Sequence, residues 1–346
     1  MLFLDWCCEL TPMMLPWADQ TYYSFDSLPV VPGATYIIGR EQLRLNADRV
    51  RDMADQCCIV FSNPAEGSET MVWHLRHYGV EDLVLSGQIK LIGGGQMPLE
   101  YPQMLFEHFL TQPFRFEENQ QAATRTSEIF AKTQKPYKFL CLNGRSRPHR
   151  VQLLNELERR NLLDSALWTN LDNHVRPIKL LPKHYEVDRY TPNINPHTRF
   201  VKHELFNNEW GEIYIKPEPY IDTYFSLVTE TVVDFPYTFI KEKTAKPLAM
   251  GHPFIVVGSC HYYRDLRNLG FKTFDSLIDE SFDSIDLSSD RLERIIQVVD
   301  DLCSNGLEDF MRAAESICKY NQQQLQQYSA EQLADLPQRV LKFINE

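Results

Sequence analysis

The chain has 346 residues, 43% of them hydrophobic and 12% aromatic, which is more than one core normally supports and enough apolar material for two domains. A formal charge of -12 excludes a large nonspecific nucleic-acid surface, which needs an excess of Lys and Arg, while a local basic groove stays open. The eight cysteines exclude a disulfide or metal framework by their spacing, because Cys7-Cys8 and Cys57-Cys58 are adjacent pairs, the other four are scattered and no C-x-x-C occurs. Buried reduced thiols are expected instead.

The N-terminal MLFLDWCCEL lacks a basic n-region and is broken by Asp5 and Glu9, so it reads as a first strand rather than a signal peptide. No apolar run approaches bilayer length, so no membrane span and a cytoplasmic location are expected. Residues 1–134 alternate short apolar runs with polar helical stretches, the pattern of a parallel sheet flanked by helices. Candidate strands are 1–4, 35–38, 57–61 and 89–92, with helices expected at 41–56 and 69–78.

The strand at 57–61 runs into Ser62-Asn63-Pro64-Ala65-Glu66-Gly67-Ser68, expected as a loop at the carboxyl end of a strand, where open α/β sheets bind ligands. Ser62, Asn63, Glu66 and Ser68 are therefore candidates for substrate contact; the plainer alternative is that Ser68 caps the next helix and Glu66 sits in a solvated turn. Gly93, Gly94 and Gly95 remove every side chain from the following loop and permit close backbone approach, or simply make a tight turn, since neither G-x-G-x-x-G nor G-K-[ST] spacing is present. The Phe-, Gln- and Glu-rich stretch 101–125 is expected to be helical, and the polar run 117–127 approaches a boundary near residue 134.

A second domain is expected over 135–305. It opens with a buried-type strand at 138–142, then Asn143-Gly144-Arg145-Ser146-Arg147-Pro148-His149-Arg150, then a helix over 148–161 with Val151, Leu154 and Leu157 as its inward stripe. Arg145, Arg147 and Arg150 beside a helix N-terminus suit an anion, most simply a diphosphate; the alternative is a solvated basic turn. Residues 171–219 read as a long irregular excursion with a hairpin near 212–215, and His174, His184, His197 and His203 fit no metal-ligand spacing.

The stretch 224–259 reads as a strand ending at Glu230, a short acidic turn, a helix whose start is crowded by Glu242, Lys243 and Lys246, a glycine stop at Gly251 and a second buried strand. Beyond it, 262–269 is expected helical, 271–273 extended and 290–302 an amphipathic helix. The Gln-rich tail 306–346 is expected to be helical and to pack back on the domains without a core of its own.

Three segments in order carry a resemblance: Val228-Thr229-Glu230-Thr231, then Phe239-Ile240-Lys241-Glu242-Lys243, then Ala249-Met250-Gly251-His252-Pro253-Phe254-Ile255-Val256-Val257-Gly258. They resemble the F-E-N-S, Y-[IV]-T-E-K and A-x-x-x-G-x-[VP]-P-[VI]-[VF]-x-G motifs of the α1,3-fucosyltransferases, whose donor-binding domain belongs to the GT-B glycosyltransferases. The resemblance covers about residues 138–285 and gives almost nothing for the N-terminal domain. Thr231 stands where the family has Asn, and Lys241 where it has the Thr before Glu-Lys, so the fucosyl donor itself does not carry over.

The resemblance implies an α/β fold of two Rossmann-like domains facing across a cleft, and an enzyme that moves a sugar from a GDP- or UDP-linked donor to a hydroxyl on a glycan, protein or modified nucleic acid. It places Asn143, Arg145, Arg147, Arg150, Glu230, Thr231, Tyr237, Glu242 and Lys243 at the donor, with Lys243 and Arg147 balancing charge on the leaving diphosphate and Glu242 on the ribose hydroxyls. Asp-x-Asp is absent from the chain, so no metal or other cofactor is expected. Ser62, Asn63, Ser68, Gly93, Gly94 and Gly95 fall to the acceptor side. Glu66 is the first choice of general base there by loop position, with His74 and Asp5 behind it. Two other functions compete: a glycosyltransferase of hydroxymethylated phage DNA, which would show steeply salt-dependent binding, and a non-catalytic nucleotide-binding scaffold.

Overall fold

The computed structural model describes residues 1–6, 8–39, 47–185 and 214–346, and the strands within them form two parallel sheets. The chain is therefore α/β, and it divides into two units, Met1–His108 with Ala330–Glu346, and Phe109–Ser329. Several expected features fall wholly or partly outside the described residues: Cys7, positions 41–46 of the first helix, His197, His203 and the start of the hairpin near 212–215.

In the first unit six strands lie in the order β2-β1-β3-β4-β5-β6: β1 (Leu2–Asp5), β2 (Gln20–Tyr22), β3 (Thr35–Gly39), β4 (Cys58–Gly67), β5 (Ile89–Gly94) and β6 (Gln103–Leu105). Every neighbouring pair is parallel. A sheet covered on both faces selects continuous apolar runs, which is why β1 and most of β3 are buried end to end. The core joins Leu2, Leu4, Ile37, Val60, Ile92 and Phe106 to Leu336 and Val340 of the terminal helix Leu336–Asn345. Lys90 on β5 donates to the carbonyls of Phe343 and Ile344 at 2.8 and 2.9 Å, putting a cation at the negative end of that helix.

The second unit holds β7 (Tyr137–Asn143), β8 (Leu167–Asn170), β9 (Thr223–Thr229) and β10 (Phe254–Val257) in the order β10-β9-β7-β8, again all parallel. Both sheets share one plan: the second strand in sequence lies to one side of the first, and the third and fourth lie to the other. The chain thus reverses its direction of winding between β1 and β3 and again between β7 and β9. Such switch points leave a crevice at the carboxyl ends of the strands.

Three expectations need correction. The boundary near 134 lies instead after His108, because the segment beyond it is tied to the second unit: Arg125 pairs with Glu218 at 2.5 Å, Thr126 Oγ1 donates to the carbonyl of Met250 at 2.9 Å, and the Ile215 N–H donates to Asn119 Oδ1 at 2.9 Å. The tail 306–346 is helical and has no core of its own: Leu307–Ser329 belongs to the second unit and Ala330–Glu346 supplies core to the first. The expected helix 101–125 is β6 followed by short helices, with Pro102 and Pro113 interrupting it. The expected loop 62–68 lies largely within β4, where Ser62 and Asn63 are in register with Ile92 and Gly93 and an irregularity precedes Gly67. Two short strands, β2 and β8, had no expected counterpart.

Candidate functional site

At the second switch point the ends of β7 and β9 are fastened together. Thr229 Oγ1 donates to Asn143 Oδ1 at 2.6 Å, and the Asn143 N–H donates to Thr169 Oγ1 on β8 at 2.9 Å. Arg150, in the first turn of the helix Pro148–Arg159, turns inward: Nη2 donates to the carbonyls of Thr229 and Glu230 at 3.0 and 3.1 Å, and Nη1 to that of Arg145 at 3.1 Å. Burial, with Arg147 beside it, lowers its pKa to about 10. His149 is pushed down to about 4, by burial first and by Arg150 second. It is therefore neutral near pH 7, and its Nε2 lies 3.0 Å from the Glu230 carbonyl, which can only accept; the Nε2–H tautomer follows.

These bonds change the expected roles. Arg150 was expected at a diphosphate and Asn143 at the donor, but the two Nη groups of Arg150 and the Asn143 side chain serve the loop and strand ends themselves. Arg147 is different: it stands at the N-cap of the same helix, half-buried, and its side chain has no hydrogen bond or ion pair among the described residues. Arg145 is exposed beside it.

Glu230 follows β9 and is 1% exposed. Its Oε1 accepts from Thr244 Oγ1 at 2.7 Å, from the Tyr262 hydroxyl at 2.8 Å and from the Lys241 N–H at 3.4 Å. That last contact explains the start of the helix Glu242–Met250, whose N-cap Lys241 supplies no side-chain cap of its own. The other oxygen, Oε2, is buried and has no hydrogen-bond partner among the described residues. Leaving a buried polar atom unmade costs about 1–3 kcal/mol, a cost that a water or a ligand hydroxyl at Oε2 would remove.

Glu242 repeats the pattern one turn away. Lys243 Nζ donates to its Oε1, while Oε2 is buried without a partner. Burial opposes its ionisation, but Lys243, Lys241 and Lys246 outweigh it and hold the carboxyl well below the usual range. Lys241 is itself buried, its ammonium 5.5 Å from the Phe109 ring centroid and 5.4 Å from that of Phe239. Glu242 and Lys243 remain 13% and 22% exposed, so the pair borders solvent. Thr231 and Tyr237 lie half-buried on the loop leading to this helix, Tyr237 beside Phe235 with ring centroids 5.6 Å apart. The helix stops at Gly251 in the left-handed region, φ +59°, where a Cβ would come within 2.8 Å of Thr126 Cγ2.

At the first switch point Asp5, wholly buried, accepts the Gly39 N–H at 2.9 Å through Oδ2. Further along that edge Ser62, Asn63 and Ser68 are buried; Ser62 lies beside the Cys8 thiol, and Asn63 Nδ2 and Ser68 Oγ have no hydrogen-bond partner among the described residues. Ser68 therefore does not cap its helix; Gly67 occupies the N-cap position. Gly93 and Gly94 are paired with β4, and the Gly95 N–H donates to Glu107 Oε1 at 3.0 Å. Glu66 is half-buried. Of the reserve bases, His74 is buried with Nδ1 2.7 Å from the Thr70 carbonyl of its own helix, and Asp5 is committed to Gly39; neither presents a carboxylate or ring edge to solvent.

Sequence reading passed over Thr244, Tyr262, His149, Gly39 and Glu107. None stands in a local pattern that marks it, since each acts through a residue at least ten positions distant or through a backbone carbonyl. No protein-family model matches the chain, and neither a curated protein nor a solved structure matches it.

Proposed function

We propose that the protein is a glycosyltransferase of the two-domain GT-B type that transfers a sugar from a nucleoside-diphosphate donor to an acceptor hydroxyl, using side-chain cations at the leaving diphosphate. One observation carries the reading: two carboxylates, the buried Glu230 and the solvent-bordering Glu242, each keep one buried oxygen without a partner at a switch point of a parallel sheet, with Lys241, Lys243 and Lys246 around Glu242 and Arg147 beside Arg150. Carboxylate oxygens accept hydroxyl protons, as ribose and sugar hydroxyls require, while fixed cations beside a helix start stabilise charge that grows on a departing phosphate.

In this reading Lys243 and Arg147 face the diphosphate, Glu242 takes the ribose hydroxyls, and Glu230 with Thr231 and Tyr237 borders the sugar. Arg150 and Asn143 are positioning residues that keep the Glu230 backbone in place. The acceptor oxygen attacks the anomeric carbon as its bond to the diphosphate breaks. Glu66 is assigned the acceptor proton, and Ser62 with the partnerless groups of Asn63 and Ser68 the binding of the acceptor.

No helix among the described residues is long and apolar enough to cross a membrane. Calorimetric titration with GDP, UDP and the other common nucleoside diphosphates tests the reading. One of them is expected to bind the wild type and to bind Lys243→Ala at least about tenfold more weakly. If none binds, or if Lys243→Ala binds as the wild type does, the reading fails.

A further inference from the structure

Three residues past the end of β10 the chain turns through Cys260 and His261, the latter in the left-handed region at φ +65°. This turn is clamped to a second segment, Ser281–Ser284 and the residues after it, chiefly by Asp283. The Asp283 carbonyl accepts the His261 N–H at 2.7 Å, and its carboxylate accepts the N–H groups of Tyr263 and Arg264 at 2.8 and 3.0 Å. Arg291 adds a second clamp from the helix Ser288–Ser304: Nε donates to the Gly258 carbonyl and Nη1 to that of Asp286, both at 3.0 Å.

Held by these bonds, one sulfur, one imidazole nitrogen and one carboxylate oxygen, from Cys260, His261 and Asp286, lie within 4.8 Å of one another, the one such group found among the described residues. Cys260 Sγ is 3.3 Å from Asp286 Oδ1, and the His261 ring has no hydrogen bond or ring partner among the described residues. A thiol-to-carboxylate hydrogen bond accounts for two members of the cluster and leaves the third, the imidazole, without a role.

We propose that Cys260, His261 and Asp286 bind a divalent cation of the zinc class, with the fourth tetrahedral position open to water or a ligand. Mixed sulfur, nitrogen and oxygen donors select a borderline metal over Mg or Ca, which take oxygen. Metal–ligand bonds of about 2.0–2.3 Å need the donors to draw together by less than about 2 Å, a movement that side-chain rotation supplies while Asp283 and Arg291 hold the backbone. Asp286 is exposed and Cys260 and His261 half-buried, so an ion has a way in. On binding, the Cys260 thiol proton leaves to solvent and the thiolate sulfur donates its pair to the metal.

The site is independent of the donor reading, because nothing assigned to the nucleotide sugar belongs to it. The test is a Co(II) titration of chelator-stripped full-length protein, followed by its thiolate-to-cobalt charge-transfer absorbance, with Zn(II) and Mg(II) as competitors. We expect one equivalent to give the thiolate band, Zn(II) to bleach it and excess Mg(II) to leave it. Cys260→Ser should abolish the band, and His261→Ala and Asp286→Asn should weaken Co(II) binding about tenfold or more. Asp286→Asn, at an exposed position, keeps the test open should Cys260→Ser fail to fold. A band that survives Cys260→Ser, competition by Mg(II) as effective as by Zn(II), or no cobalt binding by folded wild type overturns the proposal.

Discussion

The two switch points follow one strand order yet are finished with opposite chemistry. Between β1 and β3 the crevice is closed by a carboxylate, Asp5 accepting the Gly39 N–H. Between β7 and β9 it is closed by an uncharged pair, Thr229 to Asn143, and backed by the Arg150 guanidinium on the strand-end carbonyls. In the second unit, cations and two carboxylates with partnerless oxygens gather beyond the closure. In the first, the partnerless groups along that edge include the uncharged Asn63 and Ser68. The same topology thus opens a place at the strand ends without deciding its ligand, which the side chains at those ends select.

The largest effect that sharpens this contrast is expected from Arg150→Ala. It strips three carbonyls of a buried cationic donor and should cost ~3–5 kcal/mol in chemical denaturation, with loss of nucleotide binding. Destabilisation below about 1 kcal/mol would show that the guanidinium is not the fastening.

His149 gives the same switch point a pH dependence. Its pKa in the fold is lowered to about 4, from an ordinary 6.5, by burial and then Arg150. A depressed histidine contributes stability that is full above the unfolded value near 6.5 and is lost as pH falls through about 4. Because the unfolded chain binds the proton first, stability should drop on acidification across that window by ~1–3 kcal/mol. His149→Gln should flatten the slope there, and an unchanged slope would remove His149 as its source.

At the first switch point Gly39→Ala places a Cβ 2.8 Å from Asp5 Oδ2 and should cost ~1–2 kcal/mol through the displaced carboxylate. Nucleotide affinity should not change; a parallel loss would mean that the two crevices are not chemically separate. The smallest effect is expected from Lys243→Ala, ~1.4 kcal/mol in nucleotide binding with stability altered by about 1 kcal/mol or less.

Much of the second sheet was legible because its strands are buried on both faces. The run Tyr224 to Thr229, the helix start at Glu242 and the left-handed stop at Gly251 all stand where apolar runs, charges and glycine predict them. The extent of β4 was not legible: Ser62-Asn63-Pro64 has the composition of a turn, yet pairing with a glycine-rich β5 carries it on as a strand. Arg150 misled for a related reason. A loop rich in arginine predicts anion binding, but only long-range packing decides which guanidinium turns inward to serve carbonyls and which, like Arg147, is left without a partner.

The amino-acid order alone determined the α/β class, the strand-loop-helix units and the concentration of charge near Glu242, because these depend on local periodicity, turn chemistry and composition. Tertiary structure decided the boundary after His108, the return of Leu336–Asn345 to the first core, the three donors on Glu230 and the meeting of Cys260, His261 and Asp286. Each of these joins residues distant in sequence, and a hydrogen bond or core contact acts over a few ångströms whatever the length of chain between its partners. No local pattern records such a pairing, so only the folded chain determines it.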